Sequence, residues 1–136
     1  MNNNNNKGVH IFADFKGLIG CEYEIGELVY SLMEEAILTR SQMKIVHKNL
    51  VILNTETQNR ETESGFTAVL QLDSSHFTAH SYTTEEQLGL LCLDIFTCDA
   101  NEGDTQAVLD YVEQSIQNQY PNFTRVSCHI VKRFLF

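Results

Sequence analysis

Ser74-Ser75-His76-Phe77-Thr78-Ala79-His80 and, after a short polar loop, Leu93-Asp94-Ile95-Phe96-Thr97-Cys98 are the segments that decide how this chain folds. The first alternates apolar and polar residues, and the second closes a longer apolar, β-prone run over 88–97. Two such runs joined by a few polar residues read as a hairpin. That hairpin carries a serine, a histidine five residues later and a cysteine ending the second strand, three reactive groups of different chemistry. Strict alternation puts Ser75 and His80 on opposite faces, because five is odd. A bulge or turn between them is required if they are to meet.

Outward from the hairpin, further strands are expected over 9–15, 44–53, 66–72 and 123–136. A helix is expected over 24–40, where Ile25, Leu28, Val29, Leu32, Met33, Ala36 and Ile37 recur at three- and four-residue steps. A second is expected over 104–116, with Val108, Leu109, Val112 and Ile116 inward, Gly103 at the boundary and Asp104 as N-cap. The stretch 55–64 has no apolar residue and reads as a solvated loop or hairpin tip. A helix after the first strand, a helix before the last and hairpins between them imply an α+β two-layer sandwich. Its antiparallel sheet would have both helices on one face. The apolar content of the other face argues for a partner subunit.

The 136 residues suit one domain, expected over 8–136, with 1–7 as a disordered polar tail. Nine basic against eighteen acidic residues give a formal charge of −9, which disfavours a nucleic-acid partner. Neither a basic amphipathic face nor an apolar run of about 18 residues points to a membrane. The asparagine run after Met1 lacks the apolar core of a signal peptide. Cys21, Cys92, Cys98 and Cys128 show no Cys-x-x-Cys pairing, so free thiols and a cytoplasmic location are expected. No metal-ligand spacing appears, and His10, His47, His76 and His129 read as structural or solvent-facing.

Together with the opening Gly8-Val9-His10-Ile11-Phe12-Ala13-Asp14, the hairpin resembles the prokaryotic type of S-adenosylmethionine decarboxylase proenzyme. The resemblance spans nearly the whole chain. It implies an enzyme that cuts itself between Ser74 and Ser75 and turns Ser75 into a pyruvoyl cofactor. It further implies that His80 removes the α-proton during processing and that Cys98 protonates the substrate carbon after carbon dioxide leaves. An ordinary thiol is mostly protonated at neutral pH and competent as a donor. The family's helper serine, eight residues before the precursor, falls on Thr67. The pyruvoyl ketone would form a Schiff base with the substrate amine, the electron-sink task that pyridoxal phosphate performs elsewhere, without a metal.

Three differences from the family pattern bear on substrate. Ser74 stands where the family has glutamate. The family's His-Lys-Phe-Ser-Pro-Gln-Gly stretch is His47-Lys48-Asn49-Leu50, leaving no counterpart for the adenine-stacking phenylalanine. The His-Thr-Trp-Pro-Glu segment is His80-Ser81-Tyr82-Thr83-Thr84, so the ribose-binding role passes to Glu85 or Glu86. The small-molecule substrate implied is S-adenosylmethionine, for spermidine synthesis. The alternatives are arginine or ornithine, with Glu85, Glu86 and Asp94 lining an acidic pocket, and an uncut, non-catalytic regulatory paralogue. A homodimer of processed protomers, each site completed across the interface, is expected.

Overall fold

The computed structural model describes residues 8–53, 65–82, 88–98 and 102–134. The expected tail, the 55–64 stretch and Glu85 and Glu86 lie outside the described residues. The elements run β1 (Gly8–Lys16), α1 (Glu22–Arg40), β2 (Ile45–Leu53), β3 (Gly65–Leu72), β4 (His76–Tyr82), β5 (Leu90–Thr97), α2 (Glu102–Gln119) and β6 (Thr124–Arg133). The strands form one antiparallel sheet in the order β2-β3-β4-β5-β1-β6. Both helices cover the same face, α1 over β2 and β3, α2 over β1 and β5, and they pack on each other. This is the α+β sandwich that the sequence pattern implied.

Alternation builds the core. Val9, Ile11, Ala13 and Phe15 of β1, Phe66, Ala68, Leu70 and Leu72 of β3, Phe77 and Ala79 of β4, and Leu91, Leu93 and Ile95 of β5 are buried beneath the helices. They meet Ile25, Val29, Met33, Ala36 and Ile37 of α1 and Val108, Leu109, Val112 and Ile116 of α2. Phe15 and Phe123 stack with ring centroids 4.8 Å apart. Fully burying each such side chain contributes roughly 1.5–3 kcal/mol. Arg125 ties β6 to α2, its Nε 2.7 Å from Glu113 Oε1 and a terminal nitrogen 3.1 Å from Asp110 Oδ1.

Among the element ends that differ from the sequence reading, three have local causes. α1 begins at Glu22, two residues early, because Glu22 and Glu24 favour the positive helix end although Cys21 supplies no capping side chain. α2 begins at Glu102, so Asp104 lies in the first turn rather than capping it, and Gly103 is inside the helix. β6 stops at Arg133, since Phe134 turns to φ +54 and leaves the extended region.

The face away from the helices is mixed in character, with Phe12 among its exposed apolar residues. The alternate positions of β1, β4 and β5 bring His10, Phe12, Asp14, His76, Thr78, His80, Asp94 and Phe96 to that open face. Apolar residues there are interleaved with polar ones.

Candidate active site

Ser75 lies in the turn between β3 and β4, closed by the Leu72 N–H donating to the Ser75 carbonyl at 2.9 Å. Antiparallel pairing of β4 with β5 sets His76 opposite Phe96, which carries Ser75 to Cys98 just past the end of β5. The Cys98 N–H donates to Ser75 Oγ at 3.0 Å. The preceding residue, Ser74, has φ +145, a conformation that side-chain-bearing residues rarely adopt and that costs about 1–3 kcal/mol. The backbone on the acyl side of the Ser74–Ser75 bond is therefore strained.

Thr67 and His80 form a second pair. β3 and β4 set them opposite one another, and Thr67 Oγ1 is 3.0 Å from His80 Nδ1. The β3–β4 and β4–β5 registers run unbroken, so no bulge bends the strand between the two pairs. Five extended residues span about 16 Å, and the structure does not bring Ser75 and His80 together within one chain. The meeting that the odd spacing made conditional does not occur here.

Between the pairs lies a cluster centred on Asp94. Its Oδ1 is 2.8 Å from His10 Nε2 and 3.3 Å from His76 Nε2, linking β1, β5 and β4 across the open face. The His10 ring packs against Phe12 and meets Phe96 edge-on, with centroids 5.3 and 6.4 Å away. His129 stacks on Phe12 at 5.0 Å, whereas His47 is exposed on the edge strand β2. Asp94, one candidate to receive a cationic substrate tail, is thus already engaged by two imidazoles.

Cys92, read from the sequence only as a free thiol, is paired with His80 across β4 and β5. Burial pushes its thiol above the ordinary range, the Asp14 charge adds to this, and a Tyr82 hydrogen bond partly offsets it. Cys92 is therefore a neutral thiol beside the Thr67–His80 pair at ordinary pH. The register of His80 with the β5 residue two before Asp94 was the available signal. A cavity of about 250 Å³, lined by Leu18, Ile19, Gly20, Glu22, Ile25, Ser81, Tyr82 and Gly89, lies at this end of β4.

Among the described residues the four cysteines are free, and no group of three or more His, Cys, Asp or Glu side chains is placed to hold a metal ion. No described helix is long and apolar enough to cross a membrane. Residues 9–129 match the family model described as S-adenosylmethionine decarboxylase. No curated protein matches the chain.

Proposed function

Since the chain belongs to the S-adenosylmethionine decarboxylase family, we propose that it cuts itself between Ser74 and Ser75 and generates a pyruvoyl group from Ser75. It then decarboxylates S-adenosylmethionine, supplying the aminopropyl donor for spermidine synthesis. The observation that carries this reading is the junction: a positive-φ Ser74 followed by a serine whose Oγ is held by the Cys98 N–H.

Strain at Ser74 raises the amide in energy relative to the ester that replaces it. Ser75 Oγ adds to the Ser74 carbonyl carbon, and the Ser74–Ser75 C–N bond breaks. The acyl group then sits on Oγ and the Ser75 nitrogen is free. Removal of the Ser75 α-proton expels the Ser74 carboxylate as the Cβ–Oγ bond breaks. Water then displaces the nitrogen as ammonia and leaves a ketone. The completed pyruvoyl group supplies that ketone to capture the substrate amine, and an adjacent amide carbonyl to draw electrons as carbon dioxide departs.

The chain's own side chains handle the protons. In the tautomer whose Nδ1–H donates to Thr67 Oγ1, His80 Nε2 is the base for the α-proton. Cys98, tethered beside Ser75, is the donor to the substrate carbon. These two groups stand at opposite ends of β4, which supports a site shared between two chains. A twofold pairing that runs β4 of one chain antiparallel to β4 of its partner would set the Ser75–Cys98 end of one chain against the Thr67–His80 end of the other.

Intact mass under denaturing conditions tests the reading. Two fragments meeting at 74/75, the second carrying a pyruvoyl group instead of serine, are expected. Carbon dioxide release from S-adenosylmethionine, rather than arginine or ornithine, then identifies the substrate. A single chain that stays uncut on incubation overturns the proposal in favour of a non-catalytic regulatory role.

A further inference from the structure

His10, Asp94 and His76 take no part in the acyl shift or in the proton transfers, yet they join three strands beside the processing serine. The cluster is graded in rigidity. The His10 side chain is 24% exposed, set among Phe12 and Phe96, and makes the shorter contact to Asp94. The His76 side chain is 47% exposed and makes the longer one. His10 therefore steadies the carboxylate, and the carboxylate steadies His76.

His76 follows Ser75 directly, so its nitrogen completes the amide whose carbonyl belongs to Ser75. That carbonyl accepts the Leu72 N–H at 2.9 Å, while the His76 ring is held by Asp94 from the neighbouring strand. The Ser75–His76 peptide unit is thus restrained on both sides. A cut at 74/75 removes the covalent restraint ahead of Ser75 and leaves the new end dependent on contacts such as these. Strands already joined by continuous ladders gain little stability from a partly exposed carboxylate–histidine contact.

We infer that Asp94, backed by His10, is a positioning residue that holds His76 and so aligns Ser75 for the acyl shift and its amide carbonyl for the decarboxylation. The inference rests on reading Ser75 as the processing serine.

The test follows cleavage of the full chain made by cell-free translation, on denaturing gels, for wild type, Asp94→Ala, Asp94→Asn and His10→Ala. Turnover of S-adenosylmethionine by the cut fraction is measured alongside, with circular dichroism and melting to follow folding. Asp94→Ala is expected to slow cleavage about tenfold and to lower kcat comparably, with KM changed by less than about twofold, as misalignment of a bound reactant does. Asp94→Asn keeps an acceptor oxygen and should recover most of the rate.

Wild-type cleavage and kcat in a folded Asp94→Ala chain overturn the inference and leave the Ser75 reading standing. So does slowing in both Asp94 variants that merely tracks their loss of melting temperature. A wild-type chain that is never cut overturns the Ser75 reading and this inference with it. Should Asp94→Ala fail to fold, His10→Ala, which keeps the carboxylate and removes only its support, decides: slower cleavage supports the role and an unchanged rate refutes it.

Discussion

His80 stands five residues from Ser75 along a strand whose register with both neighbours is unbroken, which separates the two by about 16 Å. One chain therefore holds Ser75 with Cys98 and Thr67 with His80 as two separate pairs at opposite ends of β4.

If the two pairs of one site come from different chains, two inactive variants should rescue each other. Ser75→Ala and His80→Ala chains are each expected to remain uncut when made alone. Co-expressed, mixed dimers contain one site with both Ser75 and His80 intact, and the His80→Ala chain should be cut there. Differently tagged chains on a denaturing gel read the result. No cleavage in the mixture would mean that Ser75 and His80 do not act across an interface.

Ser74 offers a test of stored strain. In an uncuttable Ser75→Ala background, Ser74→Gly should stabilise the chain to urea by about 1 kcal/mol, since glycine tolerates the positive φ. In the native background, releasing that strain should slow cleavage by about fivefold. A timed gel compares the two rates.

Gly89 holds the β1–α1 connection against the start of β5. It has φ +63, and a Cβ there would lie 2.7 Å from the Leu18 backbone. That backbone donates its N–H to the Gly89 carbonyl at 3.0 Å. Gly89→Ala should therefore destabilise by more than about 2 kcal/mol in urea titration.

Cys92 predicts an alkaline weakness. Burial raises its folded pKa above the ordinary 9.0, so the folded chain binds this proton more tightly than the unfolded one. Its stabilising contribution is whole below that ordinary value and is lost as pH climbs through the higher folded value. Urea midpoints of wild type should fall more steeply above pH 9 than those of Cys92→Ala. Identical slopes would mean that Cys92 does not govern this loss.

The elements were legible because Ile25, Val29, Leu32, Met33, Ala36 and Ile37 recur at helical steps in α1, and because β-prone runs bounded by polar segments mark β1, β3, β4 and β5. Thr105 is fully buried against Thr97, a polar inward position that an apolar stripe does not reveal. The two pairs of the site follow from hairpin registers, which are local. The odd Ser75–His80 spacing already warned that they need not meet. Asp94 and His10 are 84 residues apart, and only the insertion of β1 beside β5 brings them together. Such sheet order depends on packing between distant segments and leaves no periodic mark in the sequence.

That insertion of β1 has a mechanical consequence. A break between residues 74 and 75 would assign β1, β2 and β3 to one piece and β4, β5 and β6 to the other. Along the sheet, ownership would then run first, first, second, second, first, second. Three of the five strand seams would join different pieces, with β1 gripped on both sides by its severed counterpart. The two fragments would be braided rather than adjacent, and the nicked molecule would separate only by unravelling its sheet.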